Sequence, residues 1–224
     1  LDLLTQNPVI RDLVDALDSR TVAERFGVRD GQGLGVIAAA RPFLVAALYQ
    51  RLGRPMVLLT SRPERASQWA EQLRVWTDGE DIHTFPEPDA LPFERVPWAR
   101  ETVSDRLAAL TALVQWAKSQ GHSGAPPLIV ASGRAFMHKT LPLREFRMGL
   151  REYRQGQTID LQRTLESWVA HGYRPETVVE QPGTFSRRGG LIDVFPPNLP
   201  KPVRIELFGD EIDSLRLFEP ITQR

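Results

Sequence analysis

Short apolar runs alternate with amphipathic stretches through the first part of the chain. "GLGVIAA" (33–39), "PMVLLT" (55–60) and "PPLIVAS" (126–132) read as strands from their apolar runs, and "DIHTF" (81–85) as a third, short one in chain order. Between them, "FLVAALYQRLG", "RPERASQWAEQLRVW" and "TVSDRLAALTALVQWAKSQG" carry apolar residues at helical spacing. The last of these predicts a capping-box start at Thr102 with Asp105 three residues on, and an end at Gly121. The N-terminal "LDLLTQNPVIRDLVDALDS" predicts a helix packed on the first domain. Buried strands separated by amphipathic helices imply a parallel sheet covered on both faces.

After about Leu143 the period changes. One amphipathic helix, "IDLQRTLESWVAHGY", is followed by alternating runs, "TFSRR-GG-LIDVF" and "VRIELF-GD-EIDSLRLF", each folded about a two-residue glycine turn. The expected architecture is therefore an α/β domain over residues 1–143 and a smaller α+β domain with antiparallel hairpins over 144–224.

The turns fix a register, because opposed residues share a face and faces alternate. Around Gly189-Gly190, Arg188 opposes Leu191 and Ser186 opposes Asp193, while Phe185, Arg187, Ile192 and Val194 share the other face. Around Gly209-Asp210, Phe208 opposes Glu211, Glu206 opposes Asp213 and Arg204 opposes Leu215, with Ile205, Leu207 and Ile212 on the reverse. The apolar set is the expected core. The outward face then carries Arg188, Arg204, Glu206, Phe208, Glu211 and Asp213. Such a face can be a solvated set of cross-strand ion pairs, each contributing about 0–1 kcal/mol. An outward phenylalanine between arginines favours a protein contact instead, since both residue types are enriched in binding hot spots.

Composition narrows the function classes. Of 224 residues, 42% are hydrophobic and 25% charged, which suits a soluble globular chain. No apolar run approaches the roughly 18 residues of a membrane span, and no basic segment leads into an apolar one at the N-terminus, so a cytoplasmic location and no membrane partner are expected. Cysteine is absent, and His83, His122, His138 and His171 lack ligand spacing, so no metal site is expected. Net charge is zero, which argues against a chain built to neutralise a phosphate backbone.

A catalytic reading fails at the motifs. A phosphate loop after the first expected strand would need glycines, a lysine and a hydroxyl, and the sequence there is "AAARPFL" (38–44). "GRAFMHKT" (133–140) matches that loop except at its second glycine, where His138 would crowd a bound phosphate, so it reads as a strand followed by a surface helical turn. No serine, histidine and acid grouping has nucleophile spacing. No catalytic residue and no cofactor are expected in this chain.

"PGTFSRRGGLIDVFPP", followed by "VRIELFGDEIDSLRLFEPITQR", closely resembles the domain shared by the UvrB repair helicases and the N-terminal UvrB-like module of the Mfd family, the bacterial transcription-repair coupling factors. The upstream "DALPFERVPWARETVSDRLAALTAL" resembles the coupling factors in particular, through Leu91, Pro92, Phe93 and Glu94 and then Ser104, Arg106 and Leu107. The resemblance implies a P-loop-like first domain that is degenerate at its phosphate loop, and a non-catalytic module that recruits UvrA to RNA polymerase stalled at a lesion. It implies that ATP, magnesium and double-stranded DNA are handled by a translocase elsewhere in the full-length protein. Carried over by motif, it implies UvrA contacts at Arg188, Arg204 and Phe208. The alternatives are a fragment of a UvrB-type ATP-dependent helicase and an autonomous DNA-binding domain.

Overall fold

The structure, a computed structural model, describes residues 6, 8, 11, 12, 15, 36–77, 79, 81–90, 94, 96–119 and 124–223. The expected N-terminal helix, the start of the first expected strand at 33–35, positions 91–93 and Gly121 lie wholly or mostly outside the described residues. The chain divides into two compact units, Leu1–Pro88 with Ala109–His138, and Asp89–Ala108 with Lys139–Arg224. Among the described residues no helix is long and apolar enough to cross a membrane.

The first unit is built on three parallel strands, β1 (Met56–Thr60), β2 (Ile82–Phe85) and β3 (Leu128–Ser132), in the order β1-β3-β2. The central strand is buried along its whole length, which is why it reads as an unbroken apolar run. Its Leu128 and Val130 pack with Ala46 and Tyr49 of helix α1 (Arg41–Leu52) and Ala70 and Leu73 of α2 (Pro63–Trp76). On the reverse, Ile129 and Ala131 pack with Phe85 and with Ala109 and Leu113 of α3 (Arg100–Lys118). Helices thus cover both faces, as the sequence predicts.

Two expectations are corrected here. The described part of the strand expected over 33–39 is not a strand: Val36 and Ile37 lie outside any ladder, and Ala38–Ala40 form a 3-10 turn running into α1. Three alanines and a proline in the first turn of α1 favour helix over sheet at this point. The capping box at Thr102 is also displaced, since α3 begins at Arg100 and Thr102 lies inside it. Its N-terminus is capped from ten residues upstream by Asp89, whose carboxylate accepts the Ala99 amide at 2.8 Å and the Thr102 hydroxyl at 3.1 Å. Those two bonds hold the Asp89 carboxyl below its ordinary value. The "GRAFMHKT" segment begins as the short helix α4 (Gly133–Met137), in which Ser132 accepts the Ala135 amide.

The second unit contains helices α5 (Leu143–Gly149) and α6 (Leu161–Ala170) and a five-stranded mixed sheet, with β4 (Arg174–Pro175), β5 (Thr184–Arg188), β6 (Leu191–Phe195), β7 (Val203–Phe208) and β8 (Glu211–Leu217) in sequential order. The short β4 is parallel to β5; the other pairs are antiparallel. Asp160 caps α6 by accepting the Arg163 amide. The core is Phe185, Ile192, Val194, Ile205 and Ile212 of the sheet against Trp168 of α6. Around Trp168 stand Tyr153, Tyr173 and Phe185, with ring centroids 6.2, 6.0 and 5.6 Å away.

This aromatic cluster carries two measurable consequences. Trp168→Ala is expected to cost about 3–5 kcal/mol of stability in chemical denaturation, the range for deleting a buried large aromatic. Burial, with Tyr153 alongside, pushes the Tyr173 phenol up to about 12. The unfolded chain loses that proton near pH ~10, so the group's contribution to stability is complete below that pH and declines as pH rises towards 12. Alkaline unfolding followed beside tyrosinate absorbance should show wild type losing stability across this window and Tyr173→Phe losing less.

Candidate protein interface

Both hairpins form as the sequence predicts around their glycine turns. Gly189 and Gly209 each have φ +63°, the first-position geometry of a II′ turn. In the first hairpin Arg188 opposes Leu191 and Ser186 opposes Asp193, the expected register. Arg187, the one polar residue assigned to the core face, opposes Ile192 at the turn end and is exposed there, without a bulge.

The second hairpin departs from its expected register. Phe208 opposes Glu211 and Leu207 opposes Ile212, but Glu206 then opposes Ser214 rather than Asp213, and Arg204 opposes Arg216 rather than Leu215. A β-bulge leaves Asp213 without a cross-strand partner. Its cause is legible in hindsight: Ile212 and Leu215 both belong to the core face although they are three residues apart, and only an extra residue between them satisfies both. A three-residue apolar spacing inside a strand was the available signal. Asp213 is exposed at the bulge, Glu211 is exposed beside the turn, and Glu206 pairs with Arg216.

The sheet's second face is not a single outward surface. The half away from the turns is covered by the 176–183 loop and the residues after β8: Val179, Phe195 and Phe218 form a small buried cluster, and Ser186 donates to the Thr177 carbonyl. Asp193 lies beneath this cover at 1% side-chain exposure. Arg204 grips it with Nε on Oδ1 at 2.7 Å and Nη2 on Oδ2 at 2.9 Å, while Nη1 donates to the Gln223 carbonyl at 3.2 Å. The Phe218 ring lies 4.7 Å from the Arg204 guanidinium, and the Asp193 hydrogen bonds raise the pKa of Arg204 above its ordinary value.

Arg204, expected to offer its guanidinium to a partner, is engaged within the sheet in the free chain. Every nitrogen of that fork has an acceptor within the chain, and the side chain is only 13% exposed. Arg188 differs: its Nη2 bonds Asp193 Oδ2 at 2.8 Å, yet its side chain is 57% exposed. Phe208 differs more, with 85% of its surface in solvent. Arg188, Phe208, Gly209, Asp210 and Glu211 are all exposed at the turn end of the sheet, where the Leu207 amide also donates to the Gly190 carbonyl across the two hairpins. Sequence reasoning missed Asp193, Phe218 and Gln223 as parts of this site. The acid set between Ile192 and Val194 in an apolar strand was the one local hint.

Comparison with known proteins defines the class first: residues 152–224 match the UvrB interaction domain, a span that holds α6 and the whole five-stranded sheet. A particular relative then emerges. The chain is 35% identical over 196 residues to the transcription-repair-coupling factor of Myxococcus xanthus and 31% identical over 199 residues to that of Staphylococcus aureus strain USA300. Those matches take in 85% and 89% of this chain and 16% of each relative, so the chain spans about a sixth of their length. It carries a UvrB interaction domain within a stretch homologous to transcription-repair coupling factors.

The two exposures separate two kinds of residue. Arg204→Ala removes two of the three hydrogen bonds to the buried Asp193 carboxylate and is expected to cost about 3–5 kcal/mol of stability. Phe208→Ala removes a solvated ring and should change stability by no more than about 0.5 kcal/mol. Urea denaturation of the two variants beside wild type checks the contrast.

Proposed function

We propose that this chain is the non-catalytic recruitment module of a transcription-repair coupling factor and that its second unit docks UvrA through the turn end of the sheet. The observation that carries the reading is Phe208, a large aromatic held in solvent at the end of β7, with Arg188 on the same face of the sheet. A monomer gains nothing by exposing it, whereas an interface gains a hot-spot anchor at little conformational cost. Glu206, Glu211 and Asp213 supply acidic groups around it. They make a phosphate backbone a poor occupant and a partner of mixed charge a good one.

The first unit serves this reading as scaffold. Open α/β sheets bind ligands outside the carboxyl ends of their strands. At that end Ser132 bonds Glu87, Arg134 stands 3.6 Å from the same carboxylate, and the adjoining cavity holds about 60 Å³. A carboxylate placed there disfavours phosphate. The coupling to RNA polymerase, to double-stranded DNA and to ATP with magnesium is assigned to the rest of the full-length protein, making the parent an ATP-dependent translocase and this chain its adaptor.

Calorimetry of the 224-residue chain against UvrA tests the proposal. Phe208→Ala should weaken binding by about 30-fold or more, the scale of a hot-spot deletion. Arg188→Ala should cost about 2–5 kcal/mol as a lost interfacial charge pair. UvrA binding at wild-type strength by the Arg188→Ala/Phe208→Ala double variant would contradict the site.

A further inference from the structure

We infer that Asp193 is a positioning residue for the docking surface: although buried, it sets the direction in which Arg188 presents its guanidinium, and Arg204 in turn fixes Asp193. This rests on the docking reading above and names a residue in that site that meets no partner.

The geometry is a two-step relay. Asp193 and Arg204 are opposed across β6 and β7, close enough for two parallel N–H···O bonds, the planar arrangement that an arginine fork and a carboxylate favour. Oδ2 then accepts a third bond, from Arg188 on the other neighbouring strand. Arg188 is tied by one terminal nitrogen; among the described residues no acceptor within the chain is found for its other donors. Its neighbour Arg187 reaches only the Gly189 carbonyl, through Nε at 3.4 Å. A long cation on a free stem loses rotamer freedom when it binds, and a cation already fastened at one nitrogen loses less. The buried acid therefore preorganises an exposed base. Asparagine in place of Asp193 keeps the shape, but its one oxygen and one NH₂ cannot accept three guanidinium donors.

The test is a double-mutant cycle of Asp193→Asn and Arg188→Ala, read as affinity for UvrA, with Phe208→Ala alongside. Asp193→Asn alone should weaken binding about three- to ten-fold, the scale of one side chain left to be ordered on binding. In the Arg188→Ala background the same change should have less than about a two-fold effect, since neighbours that act as one unit are non-additive. An equal effect in both backgrounds, or none in either, would overturn the inference while leaving the docking reading in place. Undiminished binding by Phe208→Ala would overturn the docking reading, and this inference with it. If Asp193→Asn does not fold, Nε–H order parameters of the wild-type chain decide: Arg188 should be distinctly more ordered than Arg187, and equal mobility would contradict the assignment.

Discussion

A carboxylate buried in a β-sheet is tolerable only when its oxygens are bonded and its charge is matched, and this constraint organises the second unit. Asp193 stands between two apolar residues of β6 on the face away from the main core. Meeting its needs takes Nε and Nη2 of Arg204 and one donor of Arg188. The 176–183 loop and the residues after β8 close over the pair and remove it from water, where the bonds are stronger and their loss more damaging. What remains at the surface is what Asp193 did not claim: part of Arg188, and Phe208 at the end of the adjacent strand. The surface proposed for docking is thus set from inside the sheet.

The division of labour among the three residues follows from burial. A motif carried over from relatives treats Arg188, Arg204 and Phe208 as equals, because sequence records identity and not exposure. The structure separates them into an internal tie, a half-exposed cation and a solvated ring. If the sheet docks a partner as proposed, a variant of the first is expected to remove stability and affinity together, and a variant of the last affinity alone. Measurements that score only binding would merge the two effects.

Much of the fold was legible because it rests on local signals. Strands β1 and β3 announce themselves as apolar runs, α6 by its periodicity, and both hairpins by glycine at the one turn position that needs a positive φ. What was illegible depends on distant partners. Val36–Ala40 is apolar enough for a strand, but alanine propensity and Pro42 draw Ala38–Ala40 into a 3-10 turn that leads into α1. The cap of α3 comes from Asp89, ten positions before Ala99, beyond the reach of any capping pattern. The bulge at Asp213 shifts half of a hairpin by one residue, and only the shared burial of Ile212 and Leu215 reveals it. Within the site, the cover over Arg204 comes from Phe218 and Gln223, which no strand alternation connects to it.

Hydrogen exchange of the chain alone and in complex with UvrA is the most direct measurement of the central claim. New protection confined to the turn end of the sheet, at residues 187–191 and 206–212, with the 176–183 loop and the strands of the first unit unchanged, is the predicted result. Protection concentrated at the carboxyl ends of β1, β2 and β3, with the two hairpin turns exchanging as freely as before, would contradict it.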